Sequence, residues 1–193
     1  MRGRHHHVFT IIVILSVAIN AYGQFGIRKG VKAGYNWATL TGDNLSGVQA
    51  RKSFTGGVGL EFSILGLFAF EVDVLYSPRG ASFQDTEDTK LTYISLPVVF
   101  KKKFFPVGVH PYILGGPEFS YLLSAKTNGT NIKNEINAQD LAIVLGGGIE
   151  LSFLGKSAYL EGRYCYGLNR IYKDATQPSL KNRVSQVFLG ILF

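Results

Sequence analysis

Beyond residue 24 the chain is made of segments in which every second side chain is apolar, and a repeat of two fits a pleated strand but not a helix. Eight such segments are read at 30–38, 53–63, 67–77, 91–101, 110–122, 140–153, 158–168 and 184–193. In the first, Val31, Ala33, Tyr35 and Trp37 alternate with Lys32, Gly34 and Asn36; in the third, Phe68, Phe70, Val72, Val74 and Tyr76 alternate with Ala69, Glu71, Asp73 and Leu75. The sixth sets Leu141, Ile143, Leu145, Ile149 and Leu151 against Asp140, Gly146, Gly148 and Glu150, and the seventh sets Leu160, Tyr164 and Tyr166 against Tyr159, Glu161, Arg163 and Cys165. The fifth segment has no assignable facing. Pro97 in the fourth predicts a bulge or local kink, since proline donates no ladder hydrogen bond.

The connections carry separate information. Those at 64–66 and 154–156 are short, whereas 39–52, 78–90, 123–139 and 169–183 are long and polar, with an intermediate link after the fourth segment. Long and short connections therefore alternate, which places the long ones at one end, as in outer-membrane barrels with long external loops and short periplasmic turns. Segments of about ten residues also suit a tilted crossing of a bilayer. These features predict an all-β chain that forms an eight-stranded antiparallel up-and-down transmembrane β-barrel over residues 24–193, with both termini in the periplasm.

The N-terminus reads as an export signal over residues 1–23: basic Met1-Arg2-Gly3-Arg4, an apolar run from Val8 to Ile19, then Ala21-Tyr22-Gly23 before cleavage at Gln24. The apolar run is about a dozen residues, short of the roughly 20 that a membrane-spanning helix needs. His5-His6-His7 lies inside this removed segment, so no metal site follows from it, and no cofactor is expected. The only cysteine is Cys165, which excludes an internal disulfide and a lipid anchor at the cleavage point. It reads as an inert thiol facing the lumen beside Arg163. A formal charge of +7 prompts a nucleic-acid reading, but the cations cluster at Lys101-Lys102-Lys103 and scatter through loops, without a basic helix or an aromatic-flanked RNA motif, so no nucleic-acid partner is expected.

Charged residues inside strands need a polar lumen, because lipid offers them no partner. Glu61, Glu71, Asp73, Glu150, Glu161 and Arg163 form the expected lumen charge network. Tyr35, Trp37, Tyr76, Tyr164 and Tyr166 fall toward the long-loop strand ends, where an aromatic girdle belongs. Gly146-Gly147-Gly148 lacks the lysine and hydroxyl of a phosphate loop and reads as close packing within a strand. Asn128-Gly129-Thr130 marks an exposed loop tip, and His110 falls near a short-turn end without an evident serine partner. No catalytic constellation is expected.

Five stretches together resemble the PorT-like family of outer-membrane β-barrel proteins of Gram-negative bacteria: 30–36 (Gly-Val-Lys-Ala-Gly-Tyr-Asn), the 93–101 strand with Pro97, 111–117, 146–150 and 163–168. The resemblance covers roughly 30–193. It implies an outer-membrane barrel, and its founding role implies an accessory factor for protein secretion by the type IX system. The last strand, with Val187, Leu189, Ile191 and terminal Phe193, resembles the signal read by the barrel-assembly machinery, an expected partner during insertion along with outer-membrane lipid. A lumen filled by side chains argues against a general pore. The expected role is structural or binding, through external loops toward an unknown extracellular or periplasmic partner.

Overall fold

The computed structural model describes residues 25–42, 48–83, 88–105, 108–174, 176 and 179–193. The export signal read at 1–23 and parts of three long connections lie outside the described residues. Nine strands follow in order: β1 (Phe25–Thr41), β2 (Val48–Ile64), β3 (Phe68–Phe83), β4 (Asp88–Lys103), β5 (Val109–Thr127), β6 (Thr130–Asn131), β7 (Gln139–Phe153), β8 (Lys156–Gly167) and β9 (Lys181–Leu192). Eight of them are staves of one closed antiparallel barrel; β6 is a two-residue return of β5 across an Asn128-Gly129 turn in which both residues have positive φ.

Each stave pairs with its sequence neighbours, and β1 pairs with β9, so no sheet edge remains open. Closure runs to the last residue: the Phe193 amide donates to the Lys29 carbonyl at 2.8 Å, and the Lys29 amide donates to the Phe193 carbonyl at 2.8 Å. In a bilayer this matters more than in water, because an unpaired backbone group in hydrocarbon costs several kcal/mol, about the desolvation cost of a lost hydrogen bond.

Short turns at Leu65-Gly66 and Leu154-Gly155 join β2 to β3 and β7 to β8, with positive φ at both central residues of each. That backbone matches the right-handed twist of the flanking strands. At the other end the strands run well past the expected boundaries, β3 to Phe83 and β5 to Thr127. The barrel wall therefore continues beyond its apolar band.

Pro97 does not create the expected bulge. Val72 pairs with Val98 and Leu75 with Ser95 in one unbroken register, so the ladder lapses beside the proline without slipping. The β4–β5 bulge lies instead at Thr92/Tyr93, and a second irregularity separates Ala50 from Gly56 against β3.

The facing of β5 is settled by its pairing with β4 and β7. His110, Tyr112, Leu114, Glu118, Ser120 and Leu122 point inward, while Ile113, Phe119 and Tyr121 point outward. Outside the wall, apolar side chains stand in rows on every stave, among them Val31, Val58, Ile94, Leu145, Leu160 and Leu189. On β2 this outward band runs from Phe62 to Phe54, about 27 Å along the strand and about 20 Å once a tilt of roughly 40° is included.

Glycines let tyrosines lie flat against the inner wall. Tyr112 pairs across strands with Gly148 and Tyr159 with Gly190; a Cβ on Gly148 would stand 2.7 Å from the Tyr112 hydroxyl, and one on Gly190 would stand 2.2 Å from the Tyr159 ring. The three-glycine stretch of β7 thus serves packing.

Candidate functional site

The barrel interior is lined by charged side chains from the short turns upward, and they are arranged in tiers. The lowest tier comprises Arg28 of β1, Glu61 of β2, Lys103 of β4 and Glu150 of β7. Arg28 donates to Glu150 at 2.7 Å and to Glu61, and Lys103 lies 3.1 Å from Glu61 and 2.7 Å from Glu150. Ser157 accepts a further hydrogen bond from Arg28 at 2.8 Å.

The middle tier is denser. Glu71 faces Lys32 at 2.7 Å, Lys101 at 2.6 Å and Arg163 at 2.7 Å. Asp73 faces Lys32 at 2.8 Å and Arg163 at 2.9 Å, and Arg163 also binds Glu161 at 2.6 Å. The Tyr112 hydroxyl donates to Glu161 at 2.8 Å, and the Lys101 ammonium lies 4.9 Å from the Tyr112 ring centre and 5.2 Å from that of Tyr159.

In the third tier Arg79 of β3 binds Glu118 of β5, stands 3.4 Å from Asp140 and donates to Ser95 at 2.9 Å, with its guanidinium 5.2 Å from the Tyr93 ring. Cys165 is buried beside this group, 3.3 Å from Gln186 and 3.8 Å from Glu118.

All six residues expected in the lumen network lie inside, and the structure adds Arg28, Lys32, Arg79, Lys101, Lys103, Glu118 and Asp140. The expected six held five carboxylates against one cation, a set that could not be neutral. Among the described residues the interior holds six cations and seven carboxylates. The missing cations obey the same alternation as the acids: Lys101 and Lys103 point inward while Lys102 points outward, so the three lysines are not one basic patch. Glu118 was hidden by the unassigned facing of its strand.

Above the third tier the interior turns apolar. Leu40, Ala81, Leu91, Tyr93, Leu122, Ala125, Ile136, Ile171 and Leu180 form one buried cluster, with Ile132 and Tyr172 packed against it. Ile136, Ile171 and Leu180 come from the two long connections before β7 and before β9. Those connections are tied together by an Ile136–Tyr172 bridge and by the Asn137 amide donating to the Ile171 carbonyl at 2.7 Å, and the second is closed on itself by the Ile171 amide donating to the Leu180 carbonyl at 2.8 Å. The connections fold over the mouth and seal it with side chains.

The expected girdle residues Tyr35, Tyr76, Tyr164 and Tyr166 are exposed on the outer wall near its long-loop end. Trp37 is half-buried, its ring 6.2 Å from that of Tyr35, which in turn lies 4.2 Å from the Phe54 ring. Tyr121 joins this level through the Tyr76–Ile94–Tyr121 register. The opposite end carries phenylalanines instead, with Phe62, Phe70 and Phe100 beside one another and Phe25, Phe153 and Phe193 exposed near the turns. Val187, Leu189 and Ile191 also face outward.

His110 does have a serine partner. Its Nε2 lies 3.0 Å from Ser152 Oγ, Ser152 lies 3.0 Å from Ser157, and the other ring nitrogen meets the Phe105 carbonyl. The pairing was missed because Ser152 stands across the β5–β7 ladder, distant in sequence. The ring is buried against the rim, and its orienting partner is a backbone carbonyl. Among the described residues no group of His, Cys, Asp and Glu is arranged to hold a metal ion.

A family model described as outer membrane protein beta-barrel domain matches residues 6–173. The chain belongs to that family. Solved outer-membrane barrels share its shape: Neisserial surface protein A superposes with a TM-score of 0.60 at 15% identity, covering 86% of this chain and 97% of that one. The outer membrane protein OprG from Pseudomonas aeruginosa superposes with a TM-score of 0.52 at 11% identity, covering 88% and 96%. At such identities the likeness is one of fold. No curated protein matches the sequence. Membership of this family places the barrel in the outer membrane, and the outward apolar wall is the surface that lipid covers.

Proposed function

We propose that this family member is an exported, non-enzymatic barrel that acts as a structural or binding element at the cell surface and does not conduct solutes. In this reading residues 1–23 are removed on export, both termini lie in the periplasm, and the long connections are extracellular. The observation that carries it is the filled interior: three tiers of paired charges below an apolar seal drawn from two loops. A hydrated channel needs a continuous polar path, and side chains occupy that path here. The His110–Ser152 pair supports bracing of the rim rather than hydrolysis, because Ser157 and the Phe105 carbonyl occupy the positions around it.

Purified protein reconstituted in planar bilayers tests the reading. Single-channel steps are expected to be absent for the native chain; regular steps of large conductance would overturn it. The PorT-like resemblance carries a finer role, an accessory factor in type IX secretion. Deletion of the gene with loss of secreted-protein export would support that role, whereas unchanged export with altered adhesion or envelope integrity would support a surface role.

A further inference from the structure

The outer wall carries a groove whose chemistry changes along its length. Its lower part, about 460 Å³, lies over β4, β5 and β7 and is lined by Ile94, Leu96, Phe119, Tyr121 and Leu141, all on the outward face. It rises to Gln139 and Asn169. The same two residues begin a second recess of about 570 Å³, lined further by Asn137, Arg170 and Lys173, at the long-loop end. One continuous trough therefore passes from an apolar floor at the depth of the lipid chains, past Tyr121 at the aromatic girdle, to amide and cationic groups above it.

The upper part is built rather than accidental. Asn137 donates through Nδ2 to the Arg170 carbonyl at 2.8 Å and the Tyr172 carbonyl at 3.1 Å, and the Lys173 amide donates to the Glu135 carbonyl at 3.0 Å. The two connections are thereby held in register, with Arg170 and Lys173 exposed on their rim. Lys173 also donates to the Asn134 carbonyl at 2.9 Å, which ties its side chain to the connection before β7. The acidic neighbours are Asp174 and Glu135 above and, in the lining of the lower part, Asp140, which is occupied by Arg79 and Asn182; Asp174 accepts the Thr176 amide at 2.9 Å.

Whole-chain charge points the same way. Among the described residues the interior takes seven of the chain's 13 acidic residues but only six of its 20 basic ones. Among the described side chains outside the interior twelve are cationic, with Arg183 buried against the Tyr166 ring, and two are acidic, Glu135 and Asp174.

We propose that this groove binds an acidic glycolipid of the outer leaflet, with an acyl chain along Leu96, Phe119 and Leu141, sugar hydroxyls at Gln139 and Asn169, and a phosphate held by Arg170 and Lys173. An anionic headgroup suits cations placed just above the girdle, where each Lys or Arg near a lipid surface adds attraction. The apolar floor adds what a soluble polyanion could not use. The proposal rests on the long connections facing outward, and that premise has its own control: maleimide labelling of Lys133→Cys on intact cells reports the orientation independently.

The test is native mass spectrometry of the detergent-solubilised barrel with phosphorylated lipid A, enzymatically dephosphorylated lipid A, phosphatidylglycerol and inorganic polyphosphate as probes. Phosphorylated lipid A is expected to bind, and its loss of phosphate to weaken binding about tenfold or more. R170Q/K173Q is expected to weaken it similarly, and Leu141→Trp, which fills the floor and leaves the cations, is expected to weaken it as well. Retained heat-modifiable mobility in both variants shows that the barrel still folds. Equal binding of dephosphorylated lipid A, or no effect of R170Q/K173Q, would overturn the phosphate assignment. Phosphatidylglycerol binding as tightly would overturn the glycolipid assignment, and polyphosphate binding as tightly with no effect of Leu141→Trp would overturn the lipid assignment altogether.

Discussion

Glu71 receives three cations within 2.7 Å, and it is 1% exposed. Its two oxygens hold Lys32, Lys101 and Arg163 together, and each of those stems sits on a different stave. Burying a charge is tolerable only where partners of opposite sign surround it, and removing one partner leaves the others uncompensated. Glu71→Gln keeps the shape while deleting the charge. It is expected to lower folding stability by about 3–5 kcal/mol, read from urea titration of the barrel refolded in detergent. Adding Lys101→Met to it removes a cation that Glu71 no longer holds, returns the interior to its native net charge and is expected to recover part of the loss. A single Glu71→Gln variant as stable as the native chain would mean that the interior is hydrated enough to screen its charges.

Alternation made most staves legible, because a strand with lipid on one side and charge on the other writes its facing into every second residue. β5 resisted because two glycines and a proline at 115–117 erase the contrast, and because it contains a bulge. Tyr93 pairs with Leu122 and Thr92 with Ser124, which leaves Leu123 without a partner; Leu122 and Ala125 both point inward across it. A period-two reading drawn through that point must fail on one side. The cations of the interior failed for another reason: lysine and arginine are ordinary on loops, so only facing, never residue type, reveals that Lys32, Lys101 and Lys103 are inside. The seal over the mouth was illegible in principle, since Ile136, Ile171 and Leu180 belong to long connections without a repeat. The bulge makes an element-scale prediction. Deleting Leu123 removes the unpaired residue and preserves the inward order of Leu122 and Ala125, so the heat-modifiable barrel is expected to form. Deleting Phe119 shifts the facing of the strand on one side by one residue, exposing Glu118 or its neighbours to lipid, and is expected to abolish assembly. Folding of both variants alike would show that β5 can slide.

At the scale of the molecule, the barrel and its seal are separable. The staves close by backbone hydrogen bonds from Gly30–Leu192 to Thr41–Lys181 at the β1–β9 seam, whereas the loops before β7 and β9 are held mainly by the apolar cluster and by a few hydrogen bonds between them. Loss of two large side chains from that cluster costs several kcal/mol, about 2–5 for each buried isoleucine, and the loss falls on the loops because the wall has its own ladder. Ile136→Asn with Ile171→Asn is therefore expected to free the loops while the barrel persists. Trypsin added from the long-loop side should then cut after Lys133, Arg170 or Lys173 much faster than in the native chain, with unchanged mobility shift on heating. The same variant separates two ways in which the interior could be closed. If the apolar seal were the only barrier, the opened mouth would admit ions and conductance would appear in planar bilayers. The charged tiers beneath it bind across the barrel, from β1 to β3, β7 and β8, and from β4 to β3. Conductance is accordingly expected to stay absent even when the loops are cut; its appearance would place the whole barrier at the mouth and make the tiers a hydrated path.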